Sequence, residues 1–309
     1  MVTADITATA YGSKLSNIEF VWARNSREFV FSNSIVIHGS PALVIDPSAN
    51  FSYLENLAAQ KKIDYVVNTH YHGDHRSLNP LFKSLPLICH EADAPAISSY
   101  ETYERFADRD PSSAYAVWRA EIFHHMGITE ERVSDTFSGG EQVALSEGVL
   151  EWIHLPGHTP GHTGVYFHHI RCLFIADIDL TPYGPWYANE VSNIDHFLSS
   201  IDKIRSFAAD YYVTSHGERI YTPEQFHDKL NRFAAHFGDR DARILEKLGE
   251  RPRTLAELCY RGIIYRKPST LSDPLKAYFE EQMIRKHLER LLSQGTIRHD
   301  PTENRYFLT

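Results

Sequence analysis

Two spacings of apolar residues alternate along the first part of the chain, and each change of spacing marks an element. Glu28 to His38 and Ala42 to Asp46 read as successive strands, Asn50 to Gln60 as a helix, and Ile63 to Asn68 as an apolar, buried strand. A longer helical excursion runs from about Ala92 to Met126, and a second apolar strand, Cys172 to Ala176, closes on Asp177. Strands alternating with helices in this way argue for sheet layers covered by helices.

The pattern changes near His236. Asp241 to Leu248 and Thr254 to Cys259 carry short helical spacings, with Thr254 as an N-cap. Leu275 to Gln294 is a longer helix with Ile284, Leu288, Leu291 and Leu292 on one stripe and Gly295 closing it. Thr296 to Arg298 and Tyr306 to Leu308 flank Asp300-Pro301-Thr302-Glu303-Asn304 as a small hairpin. Three helices and a hairpin make a winged-helix layout, which divides the chain into residues 1–237 and 238–309. Charge supports the division. From Arg240 onward there are 14 Lys and Arg against 10 Asp and Glu, a net of +4; the chain totals of 31 and 40 leave 17 against 30, a net of −13, for the rest.

Composition adds the setting. No apolar run reaches the roughly 18 residues that span a bilayer, and Met1 to Ser13 lacks a signal-peptide layout. Cys89, Cys172 and Cys259 are odd in number, far apart and without C-x-x-C spacing, so reduced thiols and a cytoplasmic location without membrane partners are expected. Self-association is left open.

The candidate chemistry lies just beyond the buried strand. Thr69-His70-Tyr71-His72-Gly73-Asp74-His75 places three imidazoles and a carboxylate together, a density that packing does not require. In an extended segment His70, His72 and Asp74 share one side, and a turn at Gly73 brings His75 beside Asp74. A metal site is the direct reading.

This segment resembles the H-x-H-x-D-H signature of the metallo-β-lactamase superfamily. Three later segments resemble that family's remaining ligand positions in order: Leu155-Pro156-Gly157-His158-Thr159-Pro160-Gly161-His162-Thr163, Cys172 to Asp177, and Tyr212-Val213-Thr214-Ser215-His216-Gly217. Ala176 and Ser215 stand where the family often has glycine. The resemblance implies a mixed α+β and α/β class, specifically a four-layer αβ/βα sandwich with two metal ions at the edge between two mixed sheets. By the same resemblance His70, His72 and His158 would hold one ion, and Asp74, His75 and His216 the other, with Asp177 bridging and Asp74 also orienting the nucleophile. Zinc is the first expectation from imidazole ligands, while the carboxylates also suit iron or manganese. The implied reaction is attack by a metal-bridging hydroxide on a carbonyl or phosphoryl centre.

The tail resembles the winged-helix branch of the superfamily, which includes hydroxyacylglutathione-hydrolase-like proteins and a single-strand-specific endoribonuclease. A small acyl substrate is therefore expected, a thioester of hydroxyacyl or acyl-CoA type, with a lactone as an alternative. The nuclease alternative is weakened because Arg285, Lys286 and Arg290 are interleaved with Glu280, Glu281 and Glu289, and the body at −13 repels a polyanion. With all seven ligand positions filled, a non-catalytic scaffold role is the weaker reading.

Other residues carry smaller expectations. His162 is read as supporting or turn-forming rather than as a ligand, and His124-His125 and His168-His169 as surface or loop pairs. Arg76 could meet an anionic substrate or form an ion pair. In Thr181-Pro182-Tyr183-Gly184-Pro185-Trp186-Tyr187, the aromatic residues Tyr183, Trp186 and Tyr187 are candidates for the substrate pocket.

Overall fold

The computed structural model describes residues 5–23, 31–217 and 219–309. Residues 28–30 of the first expected strand lie outside that set. The first sheet has eight strands in chain order: β1 (Thr7–Ala8), β2 (Gly12–Leu15), β3 (Ile18–Val21), β4 (Ser34–Ile37), β5 (Leu43–Ile45), β6 (Tyr65–Asn68), β7 (Leu87–His90) and β8 (Val133–Phe137). β1 to β5 pair antiparallel and β5 to β8 parallel. The second sheet holds β9 (Gln142–Leu145), β10 (Gly148–His154), β11 (Thr163–Phe167), β12 (Cys172–Phe174), β13 (Tyr211–Val213) and β14 (Ile220–Tyr221), also side by side in chain order. Only the β12–β13 pair in it is parallel.

Three apolar cores separate the layers. Between the sheets, Phe20, Ile35, Ile45 and Val67 meet Leu150, Trp152, Val165 and Phe174. On the outer face of the first sheet lie α1 (Phe51–Ala59), α2 (Gly73–Arg76), α3 (Ala94–Ser98), α4 (Tyr100–Ala107) and α5 (Ala114–Met126), most of which bury side chains against Val36, Val44 and Val66. β6 shows why its sequence reads as continuously apolar: Val66 and Val67 point to opposite faces and enter different cores, so both sides need apolar side chains. On the outer face of the second sheet lie α6 (Ile194–Arg205) and α7 (Pro223–Glu250).

The C-terminal elements differ from the sequence expectation at one important point. The short helix expected from Asp241 belongs to α7, which begins at Pro223 behind a Thr222–Gln225 capping box and runs unbroken to Glu250. Phe226, Leu230, Phe233, Phe237, Arg240, Ile244 and Leu248 form one buried stripe along it, so residues 237 and 238 sit inside a continuous helix. Each such side chain contributes about 1.5–3 kcal/mol of burial when apolar, and the stripe joins a core shared by both parts of the chain. α8 (Leu255–Cys259) and α9 (Pro274–Ser293) follow, then the hairpin β15 (Ile297–Asp300) and β16 (Arg305–Leu308). Among the described residues no helix is long and apolar enough to cross a membrane.

Candidate metal centre

The ends of β6, β10 and β13 and the segment after β12 all open at one edge of the two sheets, and this places the candidate donors together. Beyond Asn68 the chain turns through His70 and His72 into the single turn of α2, with His72 at its N-cap and Asp74 in the turn. Gly73 is required by space, because a Cβ there would lie 2.7 Å from the Phe123 ring and 3.0 Å from Ile128. The backbone thus packs directly under α5 and keeps the motif at the cleft floor.

Nε2 of His70 and Nε2 of His158 each lie 3.0 Å from Nδ1 of His72, and Oδ2 of Asp177 is 3.2 Å from Nε2 of His158. The other nitrogens of two of these rings are committed. Nδ1 of His158 donates to the Trp186 carbonyl at 2.9 Å, and Nδ1 of His70 lies 3.1 Å from Oγ1 of Thr69, whose own hydrogen goes to Asp46. Three imidazole nitrogens and a carboxylate oxygen therefore converge on one small volume. A cation resolves that arrangement, so these residues fit a metal ion. A second group sits beside it: Nε2 of His75 is 3.0 Å from Oδ1 of Asp177, and Oδ2 of Asp74 is 3.6 Å from Nε2 of His75 and 3.5 Å from Nε2 of His216. Nδ1 of His216 is buried without a hydrogen-bond partner among the described residues. Asp179 joins Asp177 and His216 in a further set of donors within mutual reach.

Without cations, protons must balance the carboxylates. Burial opposes charge on His75 and His216, but Asp177, Asp74 and Asp46 around His75, and Asp179 and Asp177 around His216, outweigh it. They hold His75 well above its ordinary value and His216 at about 10. Burial likewise opposes ionisation of Asp177, yet His75, His216 and His70 keep it well below the carboxylate range. His70 and His72 are lowered, chiefly by burial.

Several residues that the sequence did not single out hold the donors in place. Asp46, fully buried, accepts from Nδ1 of His75 at 2.8 Å and from the backbone N–H and hydroxyl of Thr69 at 2.8 and 2.7 Å. Its one sequence signal is an acid ending an apolar strand. Asp93 accepts from the N–H of Tyr71, the hydroxyl of Thr159 and the N–H of Gly161, tying the two histidine loops together. The side-chain amide of Asn189 closes on Nε2 of His72. His162 is a support, as its position suggested: Nδ1 donates to the Leu155 carbonyl, and Nε2 accepts from the Asp177 N–H at 3.0 Å. Burial and His158 push it down to about 3, consistent with that neutral form. Ala176 sits at φ 46°, the left-handed region that explains why glycine is frequent in this place.

Above the donors lies a cavity of about 460 Å³, walled by Tyr103, Tyr115, Trp118, Ile122 and Phe123 on one side and by Tyr183, Trp186 and Phe279 on the other. Tyr183 and Trp186 thus stand where the sequence placed them, but Tyr187 does not. It is fully buried behind the loop, with its hydroxyl accepting from Arg240 and donating to Nε2 of His287. Of the two roles read for Arg76, substrate contact or ion pair, it takes the ion pair. It is 2% exposed, pairs with Glu131 and the Thr129 carbonyl, and is absent from the cavity wall. His124 and His125 lie on α5 and His168 and His169 in the turn after β11, away from the cluster. Phe279 comes from α9, so the C-terminal part walls the cleft.

Residues 27–216 match the model of the metallo-beta-lactamase superfamily. That match covers well over half of the 309 residues, and the chain belongs to this superfamily, a class of metal-dependent hydrolases. A beta-lactamase-like protein 2 homolog from Caenorhabditis elegans is 25% identical over 188 residues, 61% of this chain and 52% of that protein. The chain thus spans about half the length of this curated relative. Among solved structures, a metallo-beta-lactamase family protein from Thermus thermophilus has a TM-score of 0.67 at 20% identity, covering 96% of this chain and 99% of the other. A beta-lactamase domain protein from Burkholderia ambifaria has a TM-score of 0.70 at 15% identity, with coverage of 99% and 94%. At such identities the likeness is one of fold, and at such coverage it extends through the C-terminal helices.

Proposed function

We propose that this chain is a dinuclear metal-dependent hydrolase of small thioesters. The supporting observation is the cavity directly over the donor cluster: it is lined chiefly by apolar surface, with Arg119 the single Lys or Arg among the described residues that line it. Such a wall suits an acyl arm. It does not suit an RNA strand, which needs clustered cations along a groove.

In this reading His70, His72 and His158 would hold one ion and Asp74, His75 and His216 the other, with Asp177 within reach of both sets. Zinc suits the three-imidazole set, and iron or manganese would also suit the set richer in carboxylate. Bound divalent cations would lower the pKa of coordinated water towards neutrality and polarise the scissile carbonyl. The chain's own residues do the rest. Asp46, Thr69 and the Trp186 carbonyl keep the ring nitrogens facing inward, Asp74 is placed to take and hold a proton beside the reacting carbonyl, and Tyr183, Trp186 and Phe279 exclude water from the acyl arm. α7, α8, α9 and the hairpin form the winged-helix-like unit, and its role here is to wall and brace the cleft.

The test offers metal-loaded protein a panel of acyl thioesters, aryl esters and lactones beside labelled single-stranded RNA, with Asp74→Asn as control. Two ions per chain by elemental analysis and thioester turnover lost in the variant are expected. Cleavage of RNA alone, abolished in the variant, would replace this reading with the endoribonuclease, and turnover confined to lactones would replace it with the lactonase.

A further inference from the structure

Arg119 lies on α5 and is 1% exposed, yet it lines the cavity over the metal centre. One edge of its guanidinium is used. Nε donates to Oε1 of Glu104 at 3.1 Å, and Nη2 bonds Oε2 of the same carboxylate. The plane lies over Tyr115, 4.6 Å from the ring centroid, with Tyr103 at 5.7 Å. Nη1, with two N–H groups, is buried and has no hydrogen-bond partner among the described residues. An orphaned donor in a core would be a defect. In a cavity wall it is a group awaiting an acceptor, because burying a polar group without one is costly.

The charge state of the pair narrows what that acceptor can be. Glu104 already neutralises the guanidinium, so a second carboxylate would bring an unbalanced negative charge into an apolar wall. A neutral oxygen meets the donor without that penalty. The position narrows it further. Trp118, Ile122 and Phe123 flank Arg119 on α5, so the oxygen belongs to the apolar arm of the ligand rather than to the carbonyl being cleaved.

We propose that Nη1 of Arg119 reads a neutral keto, hydroxyl or ether oxygen on the acyl arm, so that this site selects oxygenated acyl groups over plain ones. The inference rests on the thioester reading for the identity of the arm, and its test separates the two. The probes are N-acetylcysteamine thioethers, which lack the scissile carbonyl and cannot turn over. One carries a plain hexyl chain, and three carry a keto group on the third, fourth or fifth carbon. Binding to the metal-loaded protein is measured by titration calorimetry.

At least one keto probe is expected to bind about tenfold more tightly than the plain one, as for a hydrogen bond to a charged donor. In the double variant Glu104→Met/Arg119→Met, which removes the pair together and strands no buried charge, the preference falls to within about twofold. Arg119→Lys keeps the charge beside Glu104 but lacks the Nη1 edge, and it makes the same comparison should the double variant fail to fold. Equal binding of plain and keto probes by the wild type overturns the proposal. So does a keto preference that survives either substitution, and so does the absence of binding by every probe. Selective keto binding without hydrolysis of any thioester leaves Arg119 in this role and refutes the thioester reading alone.

Discussion

Arg240→Met tests the coupling between the C-terminal helices and the metal centre. Arg240 lies on α7 and is 1% exposed; Nη1 donates to the Pro185 carbonyl and the Tyr187 hydroxyl, each at 2.8 Å, and Nη2 donates to the Tyr183 carbonyl at 2.9 Å. The chain of contacts continues from Tyr187 to His287 at 2.6 Å and from His287 to Asp241 at 2.7 Å. The loop held in this way presents the Trp186 carbonyl to His158. Hydrogen bonds to a charged group contribute about 1.5–3 kcal/mol each. Their simple sum overshoots, because neighbours relax and Met keeps most of the packing; buried charged networks broken on one side lose about 3–5 kcal/mol. Glu280, fully buried, loses a cationic neighbour in Arg240 and supports the upper part of that range. A looser Trp186 carbonyl should also weaken metal affinity by about 10–100-fold, the usual effect of removing a ligand's support. The assay is urea unfolding of the metal-free protein followed by tryptophan fluorescence, paired with a chelator competition for metal. Arg232→Met on the same helix is the control: its side chain is 78% exposed and, among the described residues, paired with Asp228, so its change should stay within about 0.5 kcal/mol. A loss under about 1 kcal/mol for Arg240→Met, with metal affinity unchanged, would refute the reasoning.

Three other outcomes are expected. Loading the metal-free protein at neutral pH should release protons, those of His75 and His216 among them, so affinity rises with pH; a pH-stat titration showing no release would refute the protonated pair. Glu19 is buried, but bonds from His38 and Tyr53 prevail over burial and hold its carboxyl at about 2. Because the folded value is depressed, its contribution is full above the ordinary carboxyl range and lost as pH falls towards about 2. Glu19→Gln should therefore cost about 2 kcal/mol at pH 7, with His38 partly exposed to screening, and little near pH 2 in urea unfolding; an equal loss at both would contradict this. Gly161→Ala would put a Cβ 2.8 Å from the Asp93 carboxylate and force it off Tyr71 and Thr159, reducing metal content by elemental analysis; full occupancy at wild-type affinity would count against that brace.

The parts of the site that were legible in the sequence are those with short-range signatures. His70 to His75 are neighbours along the chain, so residue type and spacing expose them, whereas His158, Asp177 and His216 are found through the resemblance of their segments to the superfamily's ligand motifs. The extent of α7 was hidden because Pro223 and the Phe226–Phe237 stretch precede the change of charge that drew attention to residue 238. Tyr187, and the choice between the two roles of Arg76, were hidden for a related reason: an aromatic loop or a cation beside a motif has two sides, and only packing decides which one faces the cleft.

The sequence by itself determined the alternation of strands and helices and the His70–His75 cluster, and the family resemblance of its later segments added His158, Asp177 and His216 in order. It could do so because alternation, strand ends and imidazole spacing are local properties of the chain. Tertiary structure alone decided which ring nitrogens face inward, which wall the C-terminal helix supplies, and that Arg119 lines the cavity with one donor unpaired among the described residues. Those choices depend on partners far apart in sequence, Asp46 with His75 across 29 residues, Thr159 with Asp93 across 66 and Tyr187 with His287 across 100. Hydrogen bonds and buried charge select orientation only after the chain has closed on itself.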